Sequence, residues 1–106
     1  MLLTSTDFID DKELEILGLV TGSTVQAKHV GQDIAAGFKN MVGGELKSYT
    51  EMIEDARKKA VDRMIYNAKV KNADAVVNVR FNSSTIVQGA AEILVCGTAV
   101  KFKEIE

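Results

Sequence analysis

Proline and tryptophan are absent from this chain, cysteine and histidine occur once each, and aromatic residues make up only 6% of it. Each scarcity excludes something. A single cysteine, Cys96, rules out a disulfide within the chain, which fits a reducing compartment and leads us to expect a cytoplasmic protein. Tetrahedral metal sites draw three or four ligands from Cys, His and carboxylates. One Cys96 and one His29, far apart in sequence, do not supply such a set within one chain. The net charge is -2 and no basic run occurs. Phosphate backbones are bound by clustered Lys and Arg that release counterions, so a nucleic-acid partner is not expected. No apolar run approaches the ~20 residues of a membrane span. The opening Met1-Leu2-Leu3-Thr4-Ser5-Thr6 has neither a basic start nor a long apolar stretch, so no signal peptide is expected there. His-Glu-x-x-His, Gly-x-Ser-x-Gly, Cys-x-x-Cys, Walker A and Gly-x-Gly-x-x-Gly are all missing.

What is present describes an ordinary globular chain. Its 106 residues make one domain, 1–106, with 46% hydrophobic and 26% charged residues. Residues 2–5 read as a short first strand and 7–13 as an acidic connection. Residues 15–21 are apolar and partly β-branched, the pattern of a buried strand. Gly22-Ser23 is expected to break it. Residues 24–30 then alternate, with Val25, Ala27 and His29 on one face and Thr24, Gln26 and Lys28 on the other, so the two strands form a bent or bulged pair around Gly22.

Helical spacing follows. Ile34, Phe38 and Met41 share a face over residues 32–42, and Gly43 suits the residue just past a helix end. Ser48-Tyr49-Thr50-Glu51 reads as a capping box opening a second, longer helix. In it Met52, Ala56, Ala60, Met64 and Ala68 recur every four residues, widened by Tyr49, Ile53 and Val61, to about Asn72. The alanines on that stripe would let the helix lie close to a sheet. Residues 75–79 form a strand by composition, Asn82-Ser83-Ser84 a turn or bulge, and residues 92–103 the last strand. In that strand Leu94, Cys96, Thr98, Val100 and Phe102 share one face, and Ile93, Val95, Gly97 and Ala99 the other. Both faces are apolar. One helical layer covers one face, so a second copy of the chain is the simplest cover for the rest.

Individual residues nominate no chemistry. Gly43-Gly44-Glu45 reads as a turn between helices rather than an anion site, because no Lys-Ser/Thr follows. His29 shares its face with Val25 and Ala27 and reads as structural. Cys96 sits among Leu94, Thr98 and Val100 with no basic neighbour in sequence, and reads as a small hydrophobe with an unactivated thiol. Asp7, Asp10, Asp11, Glu13 and Glu15 lack the spacing of a calcium loop and read as a solvated turn.

Val42-Gly43-Gly44-Glu45-Leu46, Tyr49-Thr50, Ala56-Arg57, Ala73-Asp74-Ala75-Val76-Val77 and Gly97-Thr98-Ala99-Val100 occur in that order along nearly the whole chain. In this series the sequence resembles the YbjQ-like family, a family labelled as heavy-metal-binding. Asn72 stands where the family usually has glycine. The resemblance implies an α+β fold, a two-layer arrangement of an antiparallel sheet with two helices on one side, assembling as a ring-shaped pentamer. It carries over no catalytic, cofactor-binding or metal-ligating residue. The reading of the sequence is therefore an oligomeric binding or scaffold protein of unknown ligand, whose partner is itself. The alternatives are a metal-binding protein whose site is completed between subunits, and, behind it, an enzyme with an intersubunit cleft. A metal ion or small ligand would sit at subunit interfaces.

Overall fold

A computed structural model describes residues 1–27, 44–87 and 90–103. The described elements are β1 (Leu2–Leu3), β2 (Glu13–Ala27), α1 (Gly44–Val70), β3 (Ala75–Val87) and β4 (Ala90–Lys103). The strands form one sheet in the order β1-β3-β4-β2. β2 and β3 flank β4 in antiparallel register, whereas β1 runs parallel to β3, Leu2 opposite Ala75. The sheet is thus mixed, which corrects the all-antiparallel expectation. β1 and β3 are separated in sequence by β2 and α1, and that long crossover permits the parallel pairing. Among the described residues there is one helix. The expected helix over 32–42, with Gly43 and His29, lies outside them.

α1 packs along one face of the sheet through the predicted stripe. Ala56, Ala60, Met64 and Ala68 are fully buried, facing Val20, Val76, Ile93, Val95 and Ala99. Full burial of side chains such as Met64, Val76 and Val95 contributes about 1.5–3 kcal/mol each. The helix sits close because both surfaces are small. A Cβ added to Gly22 would overlap the carbonyl oxygen of Ala60 and the amide nitrogen of Met64. Gly22 therefore serves a close approach and not a break: β2 runs through it uninterrupted. The irregularity lies earlier, between Ile16 and Gly18, where the register shifts and Gly18 adopts φ 124°. Thr24 is buried and Val25 exposed, so at these two positions the polar residue is the one turned inward.

β3 also outruns its sequence signal. Asn82, Ser83 and Ser84 lie in strand, opposite Leu94, Ile93 and Glu92, and the bulge falls instead at Asn78 and Val79, with Asn78 at φ 57°. Backbone pairing to β4 holds these exposed polar residues, and pairing of that kind does not require apolar side chains. The N-terminal segment lies against this bulge: Val79 donates to the Thr4 carbonyl at 3.0 Å, Asn78 to that of Thr6 at 2.8 Å and Arg80 Nη1 to that of Ser5 at 3.1 Å. On the sheet face opposite α1 a small second cluster of Ala75, Val77 and Val100 is covered by Ile9, Leu14 and Phe102, with Lys12 Nζ 5.1 Å above the Phe102 ring.

The helix ends are informative. α1 begins at Gly44, so position 48 lies inside the first turns and is not the cap that the Ser48–Glu51 box predicts. Its C-terminus is a Schellman closure. Ala73 N–H reaches the Ala68 carbonyl at 3.1 Å and Asn72 N–H that of Lys69 at 2.9 Å, with Asn72 left-handed at φ 62°. Asn72 thus takes the one conformation that makes glycine preferable there. Asn72→Gly is expected to raise stability by up to about 0.5 kcal/mol, since relief of left-handed strain slightly exceeds glycine's extra unfolded-state entropy, and Asn72→Val to lower it by about 1–2 kcal/mol. Thr24 offers a second test. Its Oγ1 is buried with no hydrogen-bond partner among the described residues. Thr24→Val removes that desolvated hydroxyl and keeps the shape, so stability should rise by about 1 kcal/mol. Urea unfolding of the three variants, followed by circular dichroism, measures these differences.

Candidate functional site

β2 is an edge strand, and among the described residues no strand pairs with its outer side. α1 runs antiparallel beside that edge and sends two side chains onto it. Asn67 Nδ2 donates to the Thr21 carbonyl at 2.8 Å and Arg63 Nη1 to the Ser23 carbonyl at 2.5 Å. Arg63 and Asn67 are one helical turn apart, and the alternation of the strand places the carbonyls of residues 21 and 23 on the same side, so the two periods match here. Asp62 and Tyr66 form the neighbouring row of the helix. Together with Thr21, Gly22 and Ser23 these four residues line an open groove of ≈ 450 Å³. Its size falls within the span of small-ligand sites, roughly 300–1,000 Å³. Its chemistry is polar: a guanidinium with donors beyond the one held by Ser23, a carboxylate one residue before it, and an exposed phenol ring.

A second, smaller groove of ≈ 260 Å³ lies between α1 and the β3–β4 pair, lined by Ile53, Arg57, Phe81, Asn82, Ser83 and Ile93. Neither groove was legible in the sequence. The Arg63/Asn67 spacing was visible, but its meaning depends on where β2 lies.

The residues weighed from the sequence are scattered. Cys96 is half-buried on β4, on the face away from α1, in register with Thr21 on one side and Arg80 on the other. The basic neighbour that the linear sequence does not show is therefore present across the strand, although Arg80 Nη1 is held by the Ser5 and Val79 carbonyls at 3.1 Å each. The acidic residues Asp7, Asp10, Asp11, Glu13 and Glu15 are exposed around the start of β2. Among the described residues, no three His, Cys, Asp or Glu side chains come together as a metal site would need. No helix among them is long and apolar enough to cross a membrane.

Several residues of the motif series hold the backbone. Asp74 Oδ2 accepts from the Phe102 amide at 2.8 Å, while its own amide donates to the Val100 carbonyl at 2.8 Å, pinning the end of β4 to the start of β3. A Cβ on Gly97 would come within 2.5 Å of Val76 Cγ1. Ala56 lies at the buried seam.

Comparison with known proteins agrees with this pattern. The YbjQ family model, described as "Putative heavy-metal-binding", matches residues 1–103. The chain is similar to UPF0145 proteins from Clostridium novyi, 55% identical over 96% of this chain and 99% of the relative. It is likewise similar to those from Thermosipho africanus, 57% over 98% and 97%, and Archaeoglobus fulgidus, 56% over 97% and 96%. Its fold is similar to the crystal structure of a DUF74-family protein of unknown function from Pediococcus pentosaceus, with a TM-score of 0.68 and 14% identity over 97% of this chain and 98% of that one. With motif residues placed at the strand ends, the helix seam and the close approaches of the sheet, and with the family model spanning almost the whole length, the chain belongs to the YbjQ family.

Proposed function

We propose that this chain is an oligomeric binding or scaffold protein of the cytoplasm, assembled as a ring in which five copies is the specific expectation. One observation carries the oligomeric reading: the subunit leaves apolar sheet surface bare. Ile16, Leu19 and Val25 on β2 are 73%, 69% and 55% exposed, and they flank the half-buried Leu94, Cys96 and Thr98 on the face that α1 does not cover. The shape points the same way. The radius of gyration is 17.6 Å over extents of 64 × 24 × 17 Å, against roughly 13 Å for a compact domain of this length. Covering that face with neighbouring copies removes apolar area from water at about 25 cal/mol per Å². The ring itself rests on the family resemblance, since a repeated head-to-tail contact that closes generates one.

A second reading is a metal-binding protein whose site is completed between subunits. The position of Cys96 on the uncovered face favours it, because assembly brings copies of one residue together, and the family description points in the same direction. Native mass spectrometry with and without added divalent metals separates the two. The expected result is a multiple of the chain mass, five copies in the specific case, with any retained metal unaffected by Cys96→Ala. A single-chain mass at micromolar concentration contradicts the oligomeric reading, and stoichiometric metal lost on Cys96→Ala replaces the scaffold reading with the metal one.

A further inference from the structure

A long edge strand is a template for another chain, because its outward N–H and C=O groups lack partners and a new strand can lie 4.7–4.9 Å away. β2, with 15 residues, is such a strand, and it is flanked by exposed apolar side chains: Ile16 and Leu19 below the edge and Tyr66 on the helix above. Yet the edge is not bare. Arg63 and Asn67 lie on the outward carbonyls of Ser23 and Thr21, where the incoming strand would have to sit. Towards the start of β2 the register shift between Ile16 and Gly18 breaks the regular spacing that a partner strand needs. Two unrelated devices therefore act on the same edge.

We propose that α1 guards β2 against a second copy of this chain: Arg63 and Asn67 occupy the edge, and without them two copies join β2 to β2 in antiparallel fashion, through the N–H and C=O groups of Thr21 and Ser23. The occupant is a second copy because the partner surface is self-complementary. An antiparallel pair of identical strands about a two-fold axis satisfies both edges at once. In a strand the N–H and C=O of one residue point to the same side, so the amides of Thr21 and Ser23 face outward with their carbonyls and supply the donors. This inference is independent of the ring assembly proposed above. It concerns an edge that the native protein keeps closed, and the native mass is measured separately.

The test is an Arg63→Met, Asn67→Leu double variant, which keeps side-chain bulk and removes the donors. Analytical ultracentrifugation is expected to show the native species doubling in mass with rising concentration. Amide hydrogen exchange at Thr21 and Ser23 is expected to slow at least tenfold in the associated form. Adding Ser23→Pro removes an outward N–H without touching the β4 ladder, and should restore the native mass. Unchanged mass and exchange in the double variant overturn the proposal, and so does association that Ser23→Pro leaves in place. Should the double variant fail to fold, Asn67→Leu alone opens the Thr21 carbonyl, and the same two readouts decide in the same way.

Discussion

The backbone of α1 touches the backbone of β2 at Gly22, and much of the structure depends on that contact. No side chain fits between the strand and the Ala60–Met64 turn of the helix. The seam is continued by Ala56, Ala60 and Ala68, all fully buried, whose small side chains suit a close approach. A helix held this close fixes its own rotation and height. Arg63 and Asn67 then fall within hydrogen-bond reach of the β2 edge, and the β2–α1 groove takes its shape from the same distance. Dispersion contacts fall off steeply with separation, so a seam of small residues gains from its closeness what it lacks in apolar area.

Among the described residues, the other side of the sheet has no comparable layer. A short N-terminal segment packs Ile9 onto Ala75, Val77 and Val100, and beyond it the strands face outward. Among the motif residues that mark the family, Ala56 lies in the seam, Asp74 ties β3 to β4, Gly97 lies against Val76, and Ala75, Val77 and Val100 form the small cluster on the opposite face. They specify how the subunit folds. The series has no member on β2, the strand that carries Ile16, Leu19 and Val25 on the uncovered face and forms the edge of the sheet.

That division explains which parts of the fold could be read from the sequence. The buried stripe of α1 and the two faces of β4 were legible because periods of four and of two residues report directly on burial. Glycine misled, since the same residue marks a turn and a close approach, and only the neighbour tells them apart: Gly22 meets a helix and Gly18 makes the bulge. Ser48 misled for a related reason. The box around it has the right residues, but α1 begins at Gly44 and the helix does not wait for its best cap. The polar run from Asn82 to Ser84 suggests a turn or bulge because composition says nothing about backbone pairing, which β4 supplies. The candidate groove was out of reach altogether, because Asp62, Arg63, Tyr66 and Asn67 lie about forty residues from the strand that gives them meaning.

Equilibrium unfolding of Gly22→Ala in urea tests the central contact most directly. The added methyl meets backbone on the helix, which cannot swing aside as a side chain would, so the account predicts a loss of about 3 kcal/mol or more, at the upper end of overpacking costs. A change within about 0.5 kcal/mol, the range of an ordinary surface substitution, would show that α1 does not rest on β2 in this way.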